Sequence, residues 1–346
     1  MPTEPRTLSE RELGRALLAR QLLLERSPGS IAKTLERIGG IQAQYAPSMY
    51  VGLWTRLDGF ERPALDRALV RRGVVQGTMM RSTIHLVSAR DYWPLMLATR
   101  AARREQWLTT RKDHTASEVA AATRRVRSRI AGTEIDGDEL TELAGGRVVA
   151  GGVGHWLELV RVPPSGTWER RRANLYASAE DWLGPPDSDP ERGLELVVRR
   201  YLGGFGPASA ADIASWAGVP PRTVAPVLER MKLRRFRDEQ GDDLFDLPRA
   251  PLPGADVEAP VRFLPVWDAT LLVHARRTGI LPEEHRAKVF NPRTPHSVNT
   301  FLVDGRVAGT WHHDGRSIAI EPFGRLPRSA RSEVRGEAAA LAALYG

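Results

Sequence analysis

The residues of this chain whose types and spacing could do chemistry are amides, imidazoles and guanidinium groups. The 346 residues include no cysteine, which removes disulfide frameworks, thiolate zinc sites, iron–sulfur clusters and cysteine nucleophiles together. Two glutamines stand at i and i+2 in Ile41-Gln42-Ala43-Gln44-Tyr45-Ala46-Pro47, a polar interruption between helical patterns. Glutamine does not titrate and so is no general base in the usual sense. Its amide oxygen can hold and orient a water molecule, and its carbonyl dipole can face developing positive charge. Residues two apart point the same way in an extended segment but about 200° apart on a helix. Joint action of Gln42 and Gln44 therefore requires an extended turn between helices. Taken alone, the pair reads as a solvent loop or as caps of helix ends.

Other candidates are more ambiguous. Over Arg81-Ser82-Thr83-Ile84-His85-Leu86 the period is two, placing Arg81, Thr83 and His85 on one face of a strand, as pocket lining or as a satisfied polar face. Asp268 lies in an apolar, Trp-containing segment, either as a carboxylate for the site or as a helix N-cap ahead of Leu271 and Leu272. His312 and His313 precede Asp314-Gly315-Arg316 at a hairpin tip; adjacent histidines are poor metal spacing, so no metal site is expected. Gly151-Gly152-Val153-Gly154 and Gly203-Gly204-Phe205-Gly206 complete neither a dinucleotide fingerprint nor a P-loop, and no Gly-x-Ser-x-Gly elbow occurs. No cofactor is expected.

The elements that must position these residues follow a repeated order. Ser9-Glu10-Arg11-Glu12 is a capping box for a first helix carrying Leu13, Leu17 and Leu24; a second helix runs from Ser30 to Ile38 and ends on Gly39-Gly40. Helical patterns at Met49–Leu57 and Leu65–Leu69 lead to a hairpin over Val74–Val87 and a long basic helix from Asp91 towards Lys112. A helix capped by Thr115, another over Leu140–Ala144, and a segment from His155 turning at Pro163-Pro164-Ser165-Gly166 into Trp168–Leu175 repeat the order. The third copy is clearest: Ser209 caps one helix, Thr223 a second, and Lys232–Arg237 with Leu244–Leu247 form a hairpin, a helix-turn-helix with a wing. Beyond Pro251, strands at Phe301–Val303, Arg306–Trp311 and Ser317–Ile320 are joined by Asp304-Gly305 and Asp314-Gly315, and a helix over Ser329–Leu344 follows. The expected fold is α+β and mainly helical. Three winged helix-turn-helix domains occupy residues 1–114, 115–190 and 191–250, with a β-rich hairpin region and final helix over 251–346.

The net charge is +8, and only four of the 50 basic residues are lysines. Compositional drift would scatter arginines, but here they group: Arg100, Arg103, Arg104, Arg111 and Lys112; Arg124, Arg125, Arg127 and Arg129; Arg170, Arg171 and Arg172; Lys232, Arg234, Arg235 and Arg237. Phosphate binding wants such groups on helices and wings, so Arg170, Arg171, Arg234 and Arg235 are candidate contacts to double-stranded DNA. No apolar run approaches the roughly 18 to 20 residues that span a bilayer, and the N-terminus lacks a signal-peptide pattern. A cytoplasmic, nucleoid-associated monomer with no protein partner is expected.

Gly40-Ile41-Gln42-Ala43-Gln44, Met80-Arg81-Ser82-Thr83-Ile84-His85-Leu86-Val87, Leu264-Pro265-Val266-Trp267-Asp268 and Leu302-Val303-Asp304-Gly305-Arg306-Val307-Ala308-Gly309-Thr310-Trp311 together resemble the AlkZ/YcaQ family of bacterial winged-helix DNA glycosylases. The resemblance spans nearly the whole chain in order. It implies tandem winged-helix domains and excision of N7-alkylated purines, bulky adducts and interstrand crosslinks included. The family signature is Gln, an apolar residue, then Gln or Asp; Gln42-Ala43-Gln44 has the Gln form of AlkZ, which is associated with self-resistance to a DNA-crosslinking natural product. By the same resemblance the hairpin bearing His312, His313 and Arg316 approaches the DNA minor groove. The expected activity is that of a monofunctional glycosylase with a shallow, open cleft, since crosslinked bases do not readily flip. A non-catalytic winged-helix transcriptional regulator is the alternative.

Overall fold

The computed structural model describes residues 4–272, 278–291 and 296–346. Helix α1 (Glu10–Arg20) is opened by the Ser9–Glu12 capping box, but it stops short of Leu24 because Leu22 takes a left-handed φ of 58°. Helix α2 (Ile31–Ile38) is capped by Ser30 and ends on Gly39 at φ 80°. Gly40 is left-handed too, and a β-carbon there would lie 2.9 Å from Val87 Cγ1 and 3.0 Å from the Leu86 carbonyl oxygen. Only glycine fits both demands. This close approach delivers the next two residues as a strand, β1 (Ile41–Gln42). Helix α3 (Ala46–Trp54) starts earlier than the expected Met49 because Pro47 suits the first helical turn; α4 (Arg62–Val70) follows.

The expected hairpin forms as β2 (Val74–Thr78) and β3 (Ile84–Ser88), and the long helix α5 (Ala89–Thr110) is capped by Ser88. Then come α6 (Ala116–Ile130), β4 (Glu134–Asp136), α7 (Gly137–Ala144), α8 (Arg147–Trp156), β5 (Leu159–Arg161), β6 (Leu175–Ser178) and α9 (Ala179–Leu183). Two expectations change here. The glycine-rich stretch at 151–154 lies inside α8, where burial of Val149 and Val153 against Trp107 of α5 overrides glycine's poor helix propensity. Residues Trp168 to Asn174 are a loop, with the strand beginning at Leu175, because Trp168 turns inward onto Tyr50 and Tyr345. The sheet is antiparallel in the order β1-β3-β2-β5-β6-β4, so the first two hairpins join through the pairing of Gln76 with Arg161.

Helices α10 (Pro190–Phe205), α11 (Ala210–Ala217) and α12 (Pro221–Arg230) precede the hairpin β7 (Arg234–Arg237) and β8 (Asp243–Asp246). A four-stranded antiparallel sheet, β12-β11-β10-β9, follows from β9 (Arg262–Leu264), β10 (Thr300–Val303), β11 (Arg306–His313) and β12 (Ile318–Pro322). Short helices α13 (Ala269–Leu272) and α14 (Glu283–Val289) separate β9 from β10, and α15 (Arg328–Tyr345) closes the chain. The architecture is α+β. Among the described residues no helix is long and apolar enough to cross a membrane.

The largest core gathers Leu17 and Leu18 of α1, Tyr92 and Met96 of α5, Tyr201 and Phe205 of α10, and Trp216 of α11. Each such side chain contributes about 1.5–3 kcal/mol on full burial. Arginine serves this interior as well as the surface. Arg20 and Arg234 share the buried carboxylate of Asp246, so Arg234, grouped by sequence with the DNA contacts, is spent on structure. Arg103 is buried and donates to the Thr78 carbonyl oxygen, Arg100 pairs with Glu158, and Arg104 and Arg125 donate to carbonyls at the ends of α8 and α7. Four members of the two long-helix clusters thus hold the fold, Arg104 and Arg125 at helix C-termini, which attract cations.

Candidate active site

Strand β1 fixes the glutamine pair. Gln42 lies opposite His85 of β3, and Ala43 N–H donates to the Ile84 carbonyl oxygen at 2.7 Å. The segment is extended as expected, but as a paired strand and its continuation rather than a free turn. Gln42 is buried and Gln44 exposed. Their side chains meet: Gln42 Nε2 donates to Gln44 Oε1. The oxygen of Gln42 in turn accepts from Arg81 Nη2 at 3.1 Å.

Arg81 reaches this place by a route the alternation did not show. Met80–Ser82 form a helical turn between β2 and β3, with Arg81 and Ser82 at φ 53° and 57°. Left-handed backbone at two successive non-glycine residues is costly and persists only where surroundings enforce it. The enforcing contacts come from the end of α11: Arg81 Nη1 donates to the Trp216 carbonyl oxygen, and Gly218 sits against the Arg81 backbone. Burial lowers the Arg81 pKa to about 10, which still leaves it cationic at neutral pH. Thr83 donates to the Met80 carbonyl oxygen at 3.1 Å. His85 Nδ1 lies 3.0 Å from the Thr83 carbonyl oxygen, which assigns its proton to Nδ1. Burial, and then the Arg81 charge, push the His85 pKa down to about 3, so the imidazole is neutral.

Asp268 takes the helix N-cap role foreseen for it. Its Oδ1 accepts from Thr270 N–H at the start of α13, and both oxygens accept from Arg56 at 2.9 Å. Burial opposes ionisation, but Arg56 and Thr270 outweigh it and hold the carboxyl below its usual range. This carboxylate is committed to Arg56. It nevertheless shares a small crevice with Gln42, Ser48 and Pro265.

Ser48 and Pro265 also form one wall of a larger open cleft of roughly 300 Å³, completed by Tyr45, Trp168, Arg171, Asn299, His313 and Tyr345. Sequence reasoning missed Tyr45, Ser48, Trp168, Asn299 and Tyr345, which come from four distant segments. The buried Ser48 hydroxyl makes no hydrogen bond among the described residues. His313 stacks on Tyr345, with ring centroids 4.2 Å apart and planes at 14°. His312 points outward near Glu321, and Arg316 is exposed in the loop between β11 and β12, whose N–H groups are held by Asp314. Arg170, Arg171 and Arg172 are exposed on the loop between β5 and β6, and Arg171 donates to Tyr45 Oη at 3.3 Å. Arg235 is exposed too, over the Phe245 ring, far along the chain from the cleft-lining segments.

A family model described as DNA glycosylase AlkZ-like matches residues 35–344. A protein of Streptomyces sahachiroi named interstrand DNA cross-link repair glycosylase is 24% identical over 367 residues, an alignment covering 95% of this chain and 94% of that protein. The solved structure of Streptomyces sahachiroi DNA glycosylase AlkZ superposes with a TM-score of 0.80 at 21% identity, covering 98% of this chain and 96% of the other. That likeness shows a shared fold.

Proposed function

The chain belongs to the AlkZ-like DNA glycosylase family, and from that premise we propose that it is a monofunctional glycosylase hydrolysing the N-glycosidic bond of N7-alkylated purines in double-stranded DNA, bulky adducts and interstrand crosslinks included. The observation that carries the reading is the hydrogen-bonded pair of Gln42 and Gln44, with Gln42 in a crevice that shares Ser48 and Pro265 with the open cleft. N7 alkylation makes the base cationic, so it can leave without an acid. The protein need only hold a water molecule and face the positive charge that develops on the sugar. Gln44, exposed and with an amide oxygen that retains a second lone pair, orients that water; Gln42 fixes Gln44 from behind. The water oxygen bonds to the sugar C1′ as the bond from C1′ to the base nitrogen breaks, the base departs neutral, and the surplus water proton goes to solvent. No lysine or cysteine is invoked, and Asp268 keeps its charge on Arg56.

The helix-helix-hairpin repeats, read as winged helices, grip the duplex. Arg170 and Arg171 at one rim of the cleft contact phosphates, and His312, His313 and Arg316 at the other rim enter the minor groove. The open cleft suits a base that stays in the stack. A winged-helix regulator is the weaker reading, because family membership favours a glycosylase over sequence readout.

The test is excision from duplex DNA carrying N7-methylguanine or an N7-linked crosslink, scored as abasic sites in single turnover. Gln42→Ala and Gln44→Ala are each expected to slow excision about ten- to hundredfold. Absence of excision by the wild type on every cationic N7 adduct would end the proposal.

A further inference from the structure

We infer that Arg81 is a positioning residue that sets the orientation of both glutamine amides, an inference that rests on the catalytic reading of Gln42 and Gln44. The amide of a glutamine presents an oxygen and an NH2 group of nearly equal size, and either can face a given neighbour. A guanidinium has donors only. Arg81 Nη2 against Gln42 therefore admits only the rotamer with Oε1 turned towards it, at 3.1 Å. Once that oxygen is fixed, Gln42 Nε2 faces Gln44, and Gln44 must answer with Oε1. One cation thus orders two amides in series, with every N–H pointing away from Arg81. The result is a Gln44 oxygen fixed in direction, with a second lone pair free for water, on a side chain exposed to solvent.

Arg81 differs from the arginines that hold buried carboxylates; it shares the lack of an ion pair among the described residues with Arg103, but Arg103 donates to the Thr78 carbonyl oxygen whereas Arg81 is aimed at an amide of the candidate site. Arg20, Arg56 and Arg200 hold the buried carboxylates of Asp246, Asp268 and Asp91. Arg81 has no ion pair among the described residues; its donors go to an amide oxygen and to the Trp216 carbonyl oxygen. Desolvating a cation without a counter-ion is expensive, and the two left-handed residues at 81 and 82 add to the cost. Stability alone would be better served by an apolar side chain. Charge-assisted hydrogen bonds are the stronger and more directional kind, and a chain of them polarises each member, which gives this costly arrangement its use. The clamp on Trp216 and the contact with Gly218 hold the guanidinium still while it performs this task.

The test is a double-mutant cycle in single turnover on duplex DNA containing N7-methylguanine, at saturating enzyme, with DNA affinity measured separately. Arg81→Met is expected to lower the excision rate about ten- to hundredfold, leave the dissociation constant for DNA within about twofold, and cause no further loss in a Gln42→Ala background. Arg81→Lys keeps the charge without the fork that spans Trp216 and Gln42, so it should fall between wild type and Arg81→Met and be silent in Gln42→Ala. It also serves as the readout should the methionine variant not fold. Equal fold losses with and without Gln42, or a loss confined to DNA affinity, overturn the inference while the role of Gln42 stands. A wild-type rate for Gln42→Ala takes down both.

Discussion

Gln42 and Gln44 do not titrate, and the groups that hold them keep one charge state around neutral pH. His85 is pushed down to about 3 by desolvation and the adjacent Arg81 charge, and Arg81 itself, lowered by desolvation to about 10, stays cationic. Asp268 is held below its usual range because Arg56 outweighs its burial. Between the His85 and Arg81 transitions neither of these two groups, which face the glutamine pair directly, changes charge. Protonating His85 would add a second cation beside Arg81, so the rate should fall only at the acid extreme. Single-turnover excision is expected to vary less than about threefold from pH 5 to pH 9. The check is a rate profile on an N7-methylguanine duplex, corrected at each pH for spontaneous depurination. A sigmoidal limb with a carboxylate-like midpoint would transfer the water to an acid and demote the glutamines.

At the scale of elements, the turn after α11 supports the catalytic segment from a distance in sequence. Gly218 has φ 72°, and a β-carbon there would come within 2.9 Å of Arg81 N and 3.0 Å of Arg81 Cα. Gly218→Ala is expected to cost about 1–2 kcal/mol of stability. It should also slow excision more than it weakens DNA binding, because the displaced backbone carries the guanidinium that holds Gln42. Denaturant unfolding alongside single-turnover rates reads both effects; lost stability with an intact rate would detach α11 from the site. Which elements were legible follows from where their causes lie. Caps at Ser9, Ser30, Thr115 and Ser209 are local, and each starts a helix where the sequence places it; Thr223 does not cap α12, because Pro220 and Pro221 start that helix earlier. The extended conformation of Gln42-Ala43-Gln44 was expected from the spacing of its two amides, but its pairing with β3 was not. Arg81 was placed on the correct side by an alternation that does not exist there: its position comes from a left-handed turn enforced by α11. The loop from Trp168, the helix through Gly151 and Gly152, strand β9 and the joining of two hairpins into one sheet all depend on partners distant in sequence. Local periodicity carries no trace of them.

For the whole molecule, the formal charge of +8 overstates how many arginines are free to meet a polyanion. Arg20, Arg56 and Arg103 are fully buried, and Arg234 shares Asp246 with Arg20. What remains exposed near the cleft is grouped at its rims: Arg170 to Arg172 on the loop between β5 and β6, and Arg316 between β11 and β12. A cationic lesion gains nothing from positive charge inside the cleft, whose lining is mostly aromatic and uncharged with Arg171 beside it, whereas flanking phosphates gain from charge at the edges. This division predicts which arginines carry the salt dependence of binding. Each phosphate neutralised contributes about 0.9 to the slope of log affinity against log salt. Arg171→Ala should therefore weaken binding to all duplex sequences alike and reduce that slope by about 1. Arg234→Ala should leave the slope unchanged and lower thermal stability instead, since it strips a partner from a buried carboxylate. Fluorescence anisotropy titrations over a series of salt concentrations separate the two. Were Arg234→Ala to lower the slope and Arg171→Ala to leave it intact, the duplex would lie along the β7–β8 hairpin and away from the glutamine pair, and the assignment of the cleft as the reacting face would fall with it.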